Sequence, residues 1–248
     1  MKRQILNIAV DTPVSQVFDY HPPLDIQYEP KIGQRVLVPF GRREVVGFIH
    51  GISEKTSLPK KKIKPCKTII DQSPLLNKKT LDLILWCKNY YHHPVGKTYA
   101  AAIPKYLRSG KNPGHDGNLF KKSTKKRKLT IHQKKAYDEC LGLIKESIPV
   151  LLNGVTGSGK TEIYLQIMED VLKKGQQVLF LVPEIGLTPQ LSEEITSRFG
   201  SCVGIIHSST SEKSRAQAWV GAKENKVSVI LGTRSSIFVP FHSLGLII

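Results

Sequence analysis

Residues 154–161 read Gly-Val-Thr-Gly-Ser-Gly-Lys-Thr, which is the complete G-x-x-x-x-G-K-[ST] pattern of a phosphate-binding loop. Its glycines permit backbone geometries that side chains would block, so the loop N–H groups can surround a polyphosphate where a helix begins. We expect Lys160 to reach the β- and γ-phosphates of ATP and the Thr161 hydroxyl to bind Mg²⁺. The predicted nucleotide contacts are Gly154, Val155, Thr156, Gly157, Ser158, Gly159, Lys160 and Thr161, with Lys160 and Thr161 as the catalytic pair.

The segments around this loop predict repeated strand–helix units. An apolar run before the loop predicts a strand over 149–153, and apolar residues at helical spacing after it predict a helix over 160–173. The pattern begins with a helix over 131–147 and continues with strands over 177–182, 202–206 and 227–231, helices over 188–199 and 211–224, and an apolar run over 244–248. Such alternation predicts a parallel sheet with helices on both faces.

The first part of the chain, residues 1–108, has a different texture. Short apolar stretches separated by Pro and Gly predict a small β-barrel or sandwich, with strands at Ile5–Val10, Gln34–Phe40, Val45–Ser53 and Lys67–Asp71. A helix is predicted over 77–92, because Asn77 is a suitable N-cap and Pro94 follows its end. The predicted fold is therefore α/β: a barrel-like module followed by a phosphate-loop lobe.

Charge and cysteine content narrow the function classes. The chain has 37 Lys and Arg against 20 Asp and Glu, a net charge of +17. Eleven basic residues fall within 101–135, and a second run contains Lys60, Lys61, Lys62, Lys64 and Lys67. Nucleic acid is the natural partner of such a surface, although a solvated basic face is the alternative.

The four cysteines lie far apart without a C-x-x-C pattern, which argues against a metal site and is typical of reduced thiols. No stretch approaches the roughly 20 apolar residues of a membrane span. We therefore expect no membrane partner and a cytoplasmic, nucleoid-associated location. Residues 109–128 lose all periodicity and form a basic, Gly-rich linker, which either contacts nucleic acid or is a solvated tether.

Three further residue groups accompany the phosphate loop. Gln133 can present a donor and an acceptor to an adenine edge, although a Gln at a helix start is weak evidence alone. Thr188 precedes Pro189, so it is either an N-cap, a contact for a DNA phosphate, or both. Thr233 and Arg234 follow another strand in the equivalent position, where ligands of parallel sheets bind. His207 ends a strand and is interpreted as a surface residue.

These motifs, in this order, resemble the first RecA-like lobe of superfamily 2 helicases. More specifically, the segments 154–164, 182–190 and 232–235 resemble the PriA family of primosomal replication-restart helicases. The N-terminal segments 18–20, 33–41 and 90–94 resemble the family's module that binds the 3′ end of a nascent strand. The resemblance implies ATP and Mg²⁺ as cofactors. It also implies Thr188, Thr233 and Arg234 as DNA contacts, and forked, single-stranded and 3′-ended DNA, other primosome proteins and single-stranded DNA-binding protein as partners.

The resemblance further implies that Phe18, Asp19, Tyr20, Gly41 and Lys64 line a pocket for the 3′-terminal nucleotide. Aromatic rings offer a stacking face, an acid accepts a hydroxyl proton, and a lysine meets a phosphate. Without the resemblance, Phe18 and Tyr20 would be interpreted as core residues of the barrel.

The sequence departs from the family pattern in two places. Only the short linker 109–128 stands where the family carries a winged-helix domain, and residues 129–248 stop before the Asp-Glu-x-His box. The family's zinc region and second lobe would follow, so zinc is expected only there. We therefore expect the N-terminal portion of a 3′→5′ helicase that binds ATP and DNA but hydrolyses ATP poorly. The alternative is a non-enzymatic module for DNA ends or forks; a small-molecule kinase is disfavoured by the basic surface.

Overall fold

The computed structural model describes two compact units. The first comprises Met1–Pro113 with Phe238–Pro240, and the second comprises Gly114–Ile237 with Phe241–Ile248. The residues described are 4–25, 28–59, 62–114, 127–183 and 188–248. Most of the predicted linker, Lys60 and Lys61 of the basic run, and residues 184–187 of the segment before Thr188 lie outside this part of the chain. Within it, no helix combines the length and apolar character that a membrane crossing requires.

The first unit is built on an antiparallel sheet with the strand order β2-β1-β4-β3-β5. The strands are β1 (Ile5–Ala9), β2 (Phe18–Tyr20), β3 (Arg35–Phe40), β4 (Arg43–Ser53) and β5 (Thr68–Ile69). The two edges approach each other, because the His21 N–H donates to the Lys64 carbonyl at 3.0 Å and the Cys66 N–H to the His21 carbonyl at 2.8 Å. These bonds give the sheet the predicted barrel-like character. Its interior holds Leu6, Ile8, Val10, Tyr20, Val36, Val38, Ile49, Cys66 and Ile69.

Three helices complete this unit: α1 (Lys78–Tyr90), α2 (Val95–Ala102) and α3 (Lys105–Arg108). The predicted cap at Asn77 is confirmed, since its side chain accepts a hydrogen bond from the Thr80 N–H at 2.9 Å. Helix α1 ends before His92, which has a φ of 49°. At this end of α1 the exposed rings of Trp86, Tyr90 and Tyr91 pack on one another.

The second unit contains a parallel sheet with the strand order β7-β8-β6-β9. The strands are β6 (Gln177–Leu181), β7 (Val203–Ile206), β8 (Val229–Gly232) and β9 (Leu244–Ile247), and the helices are α4 (Ile131–Lys145), α5 (Lys160–Lys173), α6 (Pro189–Phe199) and α7 (Glu212–Lys223). Buried side chains of α5 and α6 pack against β6 and β8 in one core cluster. Together with the antiparallel first unit, this sheet confirms the predicted fold class.

One predicted element is wrong: the strand over 149–153 does not form. A strand requires a neighbour that completes its ladder, and within the described residues none pairs with this segment. Pro149 also lacks an N–H to donate. Leu152 packs into the core between α4 and α5, whereas Leu151 is 91% exposed. The apolar character of the segment therefore serves packing at a single residue rather than a sheet.

A buried arginine on β3 binds two later segments of the first unit, one after β5 and one at and beyond the end of α3. Arg35 on β3 is 1% exposed, and its guanidinium donates to both carboxylate oxygens of Asp71, at 2.6 Å in the shortest contact. It also donates to the carbonyls of Leu107 at 2.8 Å and Lys111 at 2.9 Å, and to the side chain of Asn112. The planar fork of five donors suits this convergence of acceptors, which a lysine could not satisfy.

We expect Arg35→Met to destabilise the first unit by about 3–5 kcal/mol, because the buried Asp71 carboxylate keeps the backbone N–H of residue 35 but loses its charged donor, and two carbonyls lose theirs. Urea unfolding followed by Trp86 fluorescence, in a Trp219→Phe background, reports on this unit, since these are the 2 tryptophans of the chain. Lys67→Gln is the matched control: its pair with Glu44 is exposed, and a loss of at most about 1 kcal/mol is expected. Equal urea midpoints for both variants would contradict the role of Arg35 as a clamp that holds Asp71 and the carbonyls of Leu107 and Lys111.

Candidate functional site

A pocket of about 450 Å³ lies at the outer edge of β2 in the first unit. Three segments of the chain form it: β2 with the residues before it, the turn between β3 and β4, and the loop between β4 and β5. All five residues that the family resemblance assigned to the 3′-terminal nucleotide belong to its lining. The lining residues are Gln16, Val17, Phe18, Asp19, Tyr20, Pro39, Phe40, Gly41, Ser57, Leu58, Lys62 and Lys64.

The carboxylate of Asp19 is held by two side chains. Its Oδ1 accepts a hydrogen bond from the Asn7 amide at 2.8 Å, and its Oδ2 accepts one from the Thr56 hydroxyl at 2.6 Å. Asn7 is directly opposite Asp19 in the ladder between β1 and β2. A carboxylate offers about four lone-pair sites, so the arrangement orients the group and leaves acceptor capacity for a ligand.

The aromatic residues beside Asp19 play different parts. Phe18 is half-buried and meets the edge of Phe40, with ring centroids 5.0 Å apart. Tyr20 is 6% exposed, and its hydroxyl donates to the Pro39 carbonyl at 2.9 Å. Burial, and to a smaller extent the nearby Cys66, raises the pKa of Tyr20. Phe18 and Phe40 thus supply the accessible aromatic surface, while Tyr20 is the core residue that the sequence-based alternative described.

Backbone geometry brings Gly41 and Lys64 to the pocket. Gly41 has a φ of 62° and is the first residue of the two-residue turn that joins β3 to β4. A positive φ at this position belongs to a type II′ turn, where glycine is preferred. Lys64 is exposed, and its carbonyl bonds to His21 directly after β2. With the exposed Lys62, it places positive charge on the wall facing the aromatic rings.

In the second unit, the phosphate loop leads directly into α5. Gly159 is the N-cap of α5 with a φ of 83°, and Gly157 has a φ of 80°. A Cβ at Gly159 would lie 2.3 Å from the Gln133 amide nitrogen. The Lys160 ammonium turns back onto the loop, where it donates to the carbonyls of Gly154 and Val155. Two loop carbonyls thus bond to the Lys160 ammonium. The N–H groups in the first turn of a helix such as α5 suit an anion beside it.

Gln133 connects the start of α4 to this loop. Its side-chain oxygen accepts from the Thr130 N–H at 2.9 Å within a capping box, and its amide nitrogen donates to the Ser158 carbonyl at 3.0 Å. An amide group carries two donors and two acceptor lone pairs, so one of each remains for an adenine edge. The predicted adenine contact therefore lies beside the predicted phosphate contacts.

The three predicted DNA contacts follow β6 and β8, which are adjacent and parallel, so their carboxyl ends share one edge of the sheet. Thr188 is exposed and caps α6 by accepting from the Leu191 N–H at 3.2 Å. Thr233 is only 8% exposed, whereas Arg234 is exposed. Of this pair, Arg234 therefore has the more accessible side chain.

Glu162, the residue after Thr161, is engaged in a buried ion cluster. It is 8% exposed and accepts from Arg198 at 3.3 Å and from Gln166 at 2.8 Å. Arg198, near the end of α6, also contacts Glu169 at 3.4 Å. The cluster joins α5 to α6, and it commits the acid nearest the loop to a structural role rather than to a metal.

The cysteines are buried in the cores of the two units. Burial raises the pKa of the Cys66 thiol to about 12 and that of Cys202 to about 11, so both stay protonated at neutral pH. Among the described residues, no group of three or more His, Cys, Asp or Glu side chains is arranged to hold a metal ion.

Four residues that line the pocket or bind Asp19 were not predicted from the sequence: Asn7, Thr56, Phe40 and Lys62. Phe40 directly precedes the glycine turn, and Lys62 stands in the basic run, so their positions gave a usable signal. Asn7 was indicated only as a polar residue in an otherwise apolar strand. Thr56 gave no signal, because it reaches Asp19 through a loop whose path the sequence does not specify.

Two family models match the chain. Residues 7–104 match the model described as the 3'DNA-binding domain (3'BD), and residues 126–244 match the model described as type III restriction enzyme, res subunit. The first match ends before the predicted linker 109–128, and the second begins within its last three residues.

Curated proteins named replication restart protein PriA are similar over nearly the whole chain. The Haemophilus influenzae protein is 30% identical across 99% of this chain, the Treponema pallidum protein 33% across 98%, and the Rickettsia prowazekii protein 37% across 95%. The chain spans 44, 37 and 36% of these relatives. The first alignment runs over 320 positions and the second over 249, so the first includes many more positions for which this chain of 248 residues has none. From these matches and the two family models, the chain belongs to the PriA family of replication restart proteins.

Proposed function

We propose that this chain binds the 3′ end of a DNA strand in the β2 pocket and ATP at the phosphate loop. It would do so as part of a 3′→5′ DNA helicase that recognises stalled replication forks and starts primosome assembly. The observation that supports this most is the convergence of Phe18, Asp19, Gly41 and Lys64 from three chain segments on one cavity of about 450 Å³. Such a cavity has the size of a small-ligand site.

In the pocket, each group has a chemical role toward a terminal nucleotide. Phe18 and Phe40 offer apolar ring surface to a base, which stacks on aromatic side chains without regard to its identity. Asp19, which can only accept hydrogen bonds when ionised, would accept one from the terminal hydroxyl. Lys64 and Lys62 attract the phosphate that links the last two nucleotides.

At the phosphate loop, the chain's residues would bind and orient ATP. The Lys160 ammonium would exchange the carbonyls of Gly154 and Val155 for the β- and γ-phosphates, and the N–H groups at the start of α5 would bind the same oxygens. Thr161 would contribute its hydroxyl to Mg²⁺, which neutralises phosphate charge when bound. Gln133 would contact adenine, while Thr188, Thr233 and Arg234 would contact DNA at the carboxyl edge of the sheet.

The wider role follows the family. In an intact enzyme, ATP-driven closure of two lobes would move single-stranded DNA while the first unit locates the fork. Primosome proteins and single-stranded DNA-binding protein are the proposed partners, and the cytoplasm, at the nucleoid, is the proposed location.

A second candidate is a non-enzymatic DNA-end-binding module whose lobe serves as a platform. The engagement of Glu162 by Arg198 and Gln166 favours it, because this carboxylate is then not available to the Mg²⁺ of a bound nucleotide. Both candidates share the DNA-end pocket and differ in whether the lobe works as part of an ATP-driven motor or only as a platform.

We expect Asp19→Ala to weaken binding to oligonucleotides that end in a free 3′-hydroxyl by about tenfold, because it removes a hydrogen bond to a charged group. Binding to the same oligonucleotide ending in a 3′-phosphate should change far less. Fluorescence anisotropy at fixed salt measures both affinities. Asp25→Ala, in the same unit but outside this pocket, is the control. An equal loss for both ends would reject the assignment of Asp19.

We expect Lys160→Ala to abolish binding of a fluorescent ATP analogue, because the loop loses the cation that meets the β- and γ-phosphates. Lys174→Ala, beyond the end of α5, should bind as the unchanged chain does. Steady phosphate release by the unchanged chain, above the Lys160→Ala level, would exclude the platform candidate. Undiminished binding by Lys160→Ala would contradict the proposed nucleotide site.

A further inference from the structure

Three strands place Asp19 in a row of facing residues. In the register of the sheet, Asn7 on β1 lies opposite both Asp19 on β2 and Gly51 on β4. A Cβ on Gly51 would lie 3.1 Å from the Asn7 side-chain oxygen, so the glycine gives this side chain room over the sheet. The ladder shifts register between Asn7 and Ile8, which marks a bulge, a feature that re-aims side chains. The extra residue is His50 on β4, whereas the pairing of β1 with β2 is regular, so Asn7 stays opposite Asp19 and donates to its carboxylate at 2.8 Å.

At the other oxygen of the carboxylate, the Thr56 hydroxyl takes part in two hydrogen bonds. Its hydroxyl accepts a hydrogen bond from the Leu58 N–H at 3.0 Å and donates its single proton to Asp19 at 2.6 Å. The same hydroxyl therefore fixes Asp19 and the turn that carries Ser57 and Leu58. Ser57 and Leu58 both line the pocket. Thr56 therefore connects this part of the lining to Asp19 on β2.

We propose that Thr56 and Asn7 are positioning residues that make the pocket selective for a free 3′-hydroxyl end of DNA. This inference rests on the proposed DNA-end function. Neither residue belongs to the pocket lining, and each acts through Asp19. With one donor on each oxygen, the carboxylate cannot rotate away, and its remaining lone pairs keep fixed directions. A terminal hydroxyl supplies the missing donor, a 3′-deoxy end supplies none, and a 3′-phosphate brings a like charge.

The two hydrogen bonds to Asp19 have a measurable consequence. Without them, the carboxylate would lose conformational entropy when the ligand binds, and the affinity would fall. Preorganisation strengthens the one contact that distinguishes the ends and leaves base stacking and phosphate attraction unchanged. The loss of Thr56 should therefore reduce selectivity between ends more than affinity for DNA in general.

The test measures the affinities of the full chain for one oligonucleotide with three termini: 3′-hydroxyl, 3′-deoxy and 3′-phosphate. For Thr56→Val, which keeps the shape but loses the hydroxyl, we expect the hydroxyl-over-deoxy preference to fall about fivefold. Asn7→Ala should lower it similarly. Thr56→Ser, which retains the hydroxyl, should restore the preference. Thr68→Val is the matched control, because among the described residues its hydroxyl donates to the adjacent Ile69 carbonyl alone, at 3.4 Å.

The outcomes separate this inference from the function on which it rests. If the unchanged chain prefers the hydroxyl end and Asp19→Ala removes that preference, but Thr56→Val and Asn7→Ala keep it, the positioning role is overturned and the pocket stands. If Thr56→Val weakens all three ends equally, the residue merely supports the wall, and the inference also fails. An unchanged chain that treats the three ends alike would overturn both.

Discussion

The first unit depends on the convergence of two later chain segments on the buried guanidinium of Arg35. This one side chain binds Asp71 after β5 and the carbonyls of Leu107 and Lys111 beyond α3. Segments that lie 36 residues and 72–76 residues after Arg35 in sequence are thus held against β3. Strand β3 ends at Phe40 and the turn that forms one side of the DNA-end pocket. The clamp therefore supports the geometry from which the proposed function follows.

The two candidate sites are prepared for their ligands in different ways. In the pocket, side chains from a separate strand and a loop fix one carboxylate through hydrogen bonds that exist without a ligand, and the selectivity that we propose rests on these bonds. At the phosphate loop, the backbone carries most of the recognition, and Lys160 meanwhile bonds to carbonyls of its own loop. A phosphate bound as we propose would replace these carbonyls as the partners of Lys160.

Local patterns made much of the fold predictable. Helical spacing and caps indicated α4 to α7 and the Asn77 cap, and the phosphate-loop pattern indicated the turn before α5. The prediction of a strand over 149–153 was wrong, because an apolar run does not reveal whether a neighbouring strand is present to pair with it. Tyr20 illustrates a similar limit: its alternation with Asp19 along β2 directs the ring into the core. Thr56 was invisible because its partner lies 37 residues away across a loop.

The most direct test of the account is a crystal structure of the chain with a short oligonucleotide that has a free 3′ end. The account predicts that the terminal nucleotide occupies the pocket beside β2, its base against Phe18 and its 3′-oxygen within about 3 Å of an Asp19 carboxylate oxygen. An oligonucleotide bound elsewhere while the pocket stays empty, or an internal nucleotide in the pocket, would contradict it.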